Sequence, residues 1–391
     1  MRRIYITIII LTACISLWGQ HSTESILRAV ENQGVALAAA RSTENVQVKS
    51  SRIGNTLPNP EVGYTHLWGA GVAGNQNEIT IAQGFDFPTA YFQRNKISTL
   101  KSTSAHQQYM AERINILLEA HLLIIEINRL QALLEVDSMR YADALAAESF
   151  NKKRREAGSI SALEENKVSM QTLAAMQHIS RNSSSLEKAC TRLSYISGLE
   201  ITPSSSIITP STMEIPSLDS LKSMMRERDP RLMEARTALS VSEKEKSLST
   251  SMALPKFSAG YKHASSDGAK FNGVMLGVSI PVWESRHTIS TAKAQIEESR
   301  HQIALMENEI ESEIESMYKE ALTLQRLLAA YHADSFGKKN STLLRKALQW
   351  GEISLLDYFT ELETVYATSE EYVQALYDYA SLCACLNKYS L

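Results

Sequence analysis

Gly158-Ser159-Ile160-Ser161-Ala162-Leu163 returns 193 residues further on as Gly351-Glu352-Ile353-Ser354-Leu355-Leu356. The same offset carries Phe87-Pro88 onto Ile280-Pro281, and a slightly longer one, 197, carries Leu57-Pro58 and Tyr64 onto Leu254-Pro255 and Tyr261. A self-similarity of this length is a fold-sized unit copied in tandem, so function is to be sought in what two copies build together. Each copy has one order: a helical arm, a strand pair bounded by proline, then a long helical hairpin.

The nine prolines stand at 58, 60, 88, 203, 210, 216, 230, 255 and 281, which leaves 89–202 and 282–391 free of them. Those stretches are poor in Gly and rich in Ala, Leu, Glu, Gln, Lys and Arg, the composition of long helices. Ile296, Ile303, Ile310, Met317, Leu324 and Tyr331 recur at every seventh position, the seam of a coiled coil, and Met110, Leu117 and Ile124 repeat the spacing more weakly in the first copy. Each stretch breaks once. Gly158 and Gly351 are predicted left-handed C-caps, Ser161 and Ser354 N-caps, and Glu164 and Asp357 their partners at the third helical position.

The predicted hairpins are therefore 89–157 with 161–197 and 283–350 with 354–389, preceded by arms at 24–57 and 217–253. At about 1.5 Å per residue the long arms reach on the order of 100 Å. A short arm and a returning arm stacked end to end match one long arm, which predicts a rod with strands at one end and helical turns at the other. The domain reading is a first repeat over 21–200 with its strand pair at 61–87, a linker at 201–216, and a second repeat over 217–391 with its strand pair at 256–281.

The strand pairs alternate. Val62, Tyr64, His66 and Trp68 share a face, as do Ile79, Ile81, Gln83, Phe85 and Phe87, then Phe257, Ala259 and Tyr261, then Val274, Leu276, Val278 and Ile280. Opposite stand small or polar residues such as Gly63, Thr80, Gly84, Ser258, Lys262, Gly273 and Ser279. Segments of about ten residues with this pattern suit strands of a transmembrane barrel, whereas alternation alone also suits two hairpins packed on helices. Four strands cannot close a barrel, since small ones need about eight, and an open edge in lipid leaves backbone groups unpaired. Insertion by strands therefore requires oligomerisation.

Arg2 and Arg3 lead into an apolar run from Ile4 to Trp18, which reads as a secretory signal over 1–20, cleaved near Gly19 or Gln20. Leu11-Thr12-Ala13-Cys14 also fits a lipoprotein cleavage box, although apolar Ile15, Leu17 and Trp18 follow the cysteine. Of the other cysteines, Cys190 and Cys383 are related by the 193 offset, which favours equivalent packing positions over a disulfide or a metal site. Lys plus Arg (40) nearly balances Asp plus Glu (43), with no basic tract, so nucleic acid is not an expected partner. No phosphate loop, His-x-x-x-His pair or Gly-x-Ser-x-Gly elbow occurs, so neither an enzyme nor a cofactor is expected. His66 and the thirteen methionines are read as surface or core residues, with no metal ligands assigned.

Leu57-Pro58-Asn59-Pro60-Glu61 before the first strand, Phe87-Pro88 after the second, Asp229-Pro230-Arg231-Leu232 in the second arm and the two Gly-x-Ile-Ser-x-Leu turns stand in order. On these motifs the chain, over about residues 24–389, resembles the outer membrane efflux proteins, the TolC-like channels, with the strand-pair motifs nearest the branches that serve heavy-metal pumps. The resemblance implies a mainly α protomer with a transmembrane β part. In that picture a homotrimer closes a 12-stranded β-barrel in outer membrane lipid and continues it as a periplasmic α-barrel. It further implies a passive exit duct for small molecules or metal ions, docked to a periplasmic adaptor and an inner-membrane transporter of RND or ABC type. A type I protein secretion duct and a periplasmic coiled-coil adaptor or rod are the alternatives. Family members carry acidic residues six positions after each turn glycine at a periplasmic aperture, positions held here by Glu164 and Asp357. A basic residue two positions and an acidic one nine positions after the second glycine are replaced by Ile353 and Thr360, so closure is expected to rest on packing around Leu355, Leu356, Tyr358 and Phe359.

Overall fold

A computed structural model describes residues 20–69, 74–156, 162–208, 215–266, 268–281, 283, 287–331 and 338–391. The elements run β1 (Gln20–Ser22), α1 (Thr23–Gln33), α2 (Val35–Ser50), β2 (Glu61–Leu67), β3 (Gln76–Phe85), α3 (Pro88–Glu156) and α4 (Ala162–Ser197). They continue with β4 (Ser206–Ile208), α5 (Leu218–Arg228), α6 (Pro230–Met252), β5 (Lys256–Ser266), β6 (Ala269–Ser279), α7 (Thr288–Ala330), α8 (Lys338–Trp350) and α9 (Leu355–Leu386). Residues 1–19 of the predicted signal segment, Cys14 among them, lie outside the described residues.

Both predicted arms are broken where a single continuous helix was expected. Between α1 and α2 stands Gly34, where an added Cβ would lie 2.4 Å from the Val30 carbonyl oxygen and 3.0 Å from that of Ile196. Only glycine admits so close a crossing of backbones. Between α5 and α6 the break falls at Asp229-Pro230: the proline ring disfavours helical geometry in the residue before it, and Asp229 is extended at φ −68° and ψ 114°. The Asp229 carboxylate caps α6 by accepting from the Arg231 N–H at 2.8 Å. The first arm also ends earlier than residue 57, at Ser50, and the chain turns through Gly54 at φ 82°. The long arm expected over 283–350 is likewise two helices, with α7 closing in a tight turn from the Tyr331 N–H to the Leu328 carbonyl.

The chain divides into two compact units that do not follow the repeat boundary. One takes residues up to 39, 113–224 and 312–391, the other 40–112 and 225–311. In the first, Ile26 and Val30 of α1, Ile124, Ile127 and Leu130 of α3, Leu193 and Ile196 of α4, and Leu362 and Tyr366 of α9 are buried. Cys190 and Cys383 are buried free thiols, their acidity pushed down by desolvation. The segment expected to be a plain linker holds β4, which pairs in parallel with β1 through Gln20↔Ser206, His21↔Ile207 and Ser22↔Ile208. The second unit holds a four-stranded sheet in the order β2-β3-β5-β6, antiparallel throughout.

Candidate functional site

Residues directly opposite one another in an antiparallel sheet share a face, so the register assigns the two faces. Phe85–Phe257–Val278, Gln83–Ala259–Leu276 and Val62–Ile81–Tyr261–Val274 form successive rows of one face. That face is bare: Val274 and Leu276 are each 80% exposed. The predicted alternation thus survives in three dimensions, with its apolar side left exposed among the described residues. The reverse face carries Gly63, Thr80, Lys262 and Gly273 in one row, and Lys262 pairs with Glu78 at 2.7 Å. Among the described residues β2 and β6 each pair on one side only, so both sheet edges present unpaired backbone.

The bare face ends in a polar arrangement that occurs twice. The Asn77 carbonyl Oδ1 accepts from the Tyr64 hydroxyl at 2.9 Å and lies 2.6 Å from His66 Nδ1. Asn272 Oδ1 accepts from the Tyr261 hydroxyl at 2.8 Å and lies 2.6 Å from His263 Nδ1. The tandem copies therefore agree down to a hydrogen-bonded side-chain cluster.

At the other candidate region, Gly158 and Ser161 lie outside the described residues. Glu164 stands, half-buried, in the first turn of α4. The second turn is fully described. Gly351 has φ 75°, with its N–H on the Leu348 carbonyl at 3.2 Å and the next N–H, of Glu352, on that of Ala347 at 2.9 Å. This pair of bonds closes α8 in the motif that favours glycine at the left-handed position. Ser354 Oγ accepts from the Asp357 N–H at 3.1 Å and donates to Asp357 Oδ2 at 2.6 Å, so the carboxylate closes on the serine hydroxyl. Leu356 and Asp357 face solvent, whereas Leu355, Tyr358 and Phe359 pack into the chain's own core with Val136, Val168, Leu348 and Leu362.

Beneath that turn lies a group of charged side chains that sequence reading did not single out. Asp143, 1% exposed, pairs with Arg345 of α8 and accepts from the Tyr366 hydroxyl of α9. Burial, then the hydrogen bond to Asp143, pushes the Tyr366 hydroxyl's pKa up, and burial followed by the Asp143 charge pushes Tyr358 up to about 12. The Arg140 guanidinium lies over the Tyr366 ring at 5.1 Å. The available signal was phase: Asp137, Arg140 and Asp143 share the stripe of α3 that also carries Val136, Ala144 and Ala147. Asp143 is buried while Arg345 stays partly exposed, so the group ties α3, α8 and α9 together chiefly by keeping the Asp143 carboxylate partnered.

Among the described residues no helix is long and apolar enough to cross a membrane. No protein-family model matches the chain, and no curated protein matches it in sequence. In fold it is similar to solved bacterial channels. The CmeC outer membrane channel of Campylobacter jejuni superposes with a TM-score of 0.74 at 13% identity, over 94% of this chain and 85% of that one. The outer membrane protein VceC of Vibrio cholerae gives 0.74 at 12% identity, covering 94% of each chain. The open state of the MtrE outer membrane channel of Neisseria gonorrhoeae gives 0.61 at 15% identity, over 94% and 88%. The chain thus has the TolC-like fold that the sequence motifs resembled: mainly helical, with one small antiparallel four-stranded sheet.

Proposed function

We propose that the chain is an outer-membrane exit duct of an efflux assembly, acting as a homotrimer and without catalysis. The observation that carries this reading is the sheet: one face is bare and apolar, the other mostly small and polar apart from Phe271 and Met275, and both edges are unpaired among the described residues. In water such a face and such edges favour aggregation; in lipid the edges must be paired by other strands. Three copies supply twelve strands and leave no edge, with the apolar rows outward and Lys262, Glu78 and Thr80 toward a polar lumen. The fold shared with outer membrane channels supports the same reading.

The helical hairpins then continue the duct into the periplasm, where a periplasmic adaptor and an inner-membrane transporter of RND or ABC type deliver small molecules or metal ions. Glu164 and Asp357, with Leu356 beside them, form the aperture in this proposal, and Phe359 backs it from the core. Asp357 both caps α9 and faces solvent, so the two roles coexist.

Fractionation with chemical cross-linking tests the proposal. The expected product is a membrane-bound trimer released by detergent and not by salt or alkali. A soluble monomer in the periplasmic fraction refutes it.

A further inference from the structure

Three side chains from three helices converge beside the buried charges of the first unit. His178 Nδ1 on α4 lies 3.9 Å from Asp137 Oδ1 on α3 and 4.0 Å from Glu370 Oε1 on α9, and the three ligand atoms all fall within 4.8 Å of one another. Asp137 is 1% exposed, and its Oδ1 accepts no hydrogen bond although it faces this group. Its other oxygen, Oδ2, is held by the Asn182 amide at 2.7 Å, which turns the free oxygen toward His178. A buried carboxylate oxygen left without a donor is a costly arrangement unless a cation completes it.

The cation now nearest is Arg140, with Nη1 2.8 Å from Glu370 Oε1 and 3.7 Å from Asp137 Oδ1. Its Nε, Nη1 and Nη2 make no hydrogen bond of good geometry, so it neutralises the carboxylates without being fitted to them. With Asp143 and Arg345 paired to each other, Asp137 and Glu370 face one arginine and one imidazole. Arg140 is also shared with a third carboxylate, Glu363, 3.8 Å from its Nη2, so carboxylates outnumber guanidinium groups here.

We propose that Asp137, His178 and Glu370 form a binding site for a divalent first-row cation of the zinc type, with Asn182 orienting Asp137 and Arg140 competing for the carboxylates. One imidazole and two carboxylates are an accepted donor set for such ions, and a tetrahedral ion at about 2.0–2.2 Å from each donor needs them about 3.3–3.6 Å apart. Closing from the observed separations takes a shift of about an ångström, which the unbranched Glu370 side chain can supply. His178 and Glu370 are partly exposed, which opens a path for the ion from solvent. Once bound, it would clamp α3, α4 and α9 together. None of this depends on the proposed export role.

The test uses the untagged full chain purified in detergent, with Zn²⁺ alone by equilibrium dialysis and Co²⁺ for the visible band of a tetrahedral site. One ion per chain is expected, with a zinc-dependent rise in melting temperature. His178→Gln and Glu370→Gln, both at the exposed side of the cluster, should abolish the cobalt band and weaken zinc binding by more than about tenfold. Arg140→Gln should tighten it. Absence of binding by the unsubstituted chain overturns the proposal, as does binding retained in His178→Gln or Glu370→Gln. Weaker or unchanged binding in Arg140→Gln overturns the competing role given to the arginine.

Discussion

Replacing Leu276 by arginine sets a charge at the centre of the bare face of the sheet. Along β6 the outward residues run Asn272, Val274, Leu276, Val278 and on to Ile280, so Leu276 is four residues from the polar Asn272 and four from Ile280. At about 3.3 Å per residue, each end of the band is about 13 Å away along the strand, too far for the guanidinium to reach water easily. A charge at that depth on the lipid side of a barrel strand costs about 2–4 kcal/mol, a factor of about 30–700 in the insertion equilibrium. Ser279→Glu is the control. Ser279 lies on the reverse face directly opposite Lys256, so the new carboxylate gains a cross-strand partner and loses nothing to lipid. The assay is refolding from urea into phospholipid vesicles, read by protease protection of the strands. Leu276→Arg should shift the midpoint strongly and Ser279→Glu hardly at all. Equal insertion of the two variants would mean that the bare face does not meet lipid, and the barrel argument would fail with it.

Tyr366→Phe removes the hydroxyl donor of the buried Asp143 carboxylate and should lower stability by about 1.5–3 kcal/mol, measured by denaturant unfolding followed through helix content. His121 is buried on α3, neither ring nitrogen has a hydrogen-bond partner, and burial holds its pKa below the ordinary 6.5. The unfolded chain therefore takes up the proton first: stability should be full above about pH 6.5, fall as the pH drops below it, and level off once the folded chain is protonated too. Melting temperatures against pH should show that decline in the unsubstituted chain and a smaller one in His121→Leu. Glu164→Gln combined with Asp357→Asn should lower cation preference in single-channel recordings with the trimer intact, and unchanged selectivity would reduce both residues to helix caps.

Much of the architecture was legible because it depends on neighbours in sequence. A left-handed Gly351, a serine hydroxyl three residues before Asp357 and a period of two along β5 and β6 are short-range matters of sterics and hydrogen bonding, and each has a residue signature. The break of the second arm also had a residue signature, since Pro230 acts on the residue before it, yet the arm was expected to run through it as one helix. Gly34 was not, because its necessity comes from the Ile196 carbonyl, far away in the chain, as well as from Val30. The strand at Ser206–Ile208 was missed for a similar reason: three residues carry no period, and only pairing with Gln20–Ser22 makes them a strand.

The sequence by itself determined the duplication, the alternating faces and the need for more than four strands, because repetition and side-chain period are properties of residue order. Only the tertiary structure decided that β3 pairs with β5, joining the two copies into one sheet whose bare face is continuous. It alone also brought Asp137, His178 and Glu370 within 4.8 Å of one another. Such ligands have no spacing to read, since helices that pack side by side bring together residues whose separation in sequence is set by the loops and arms between them.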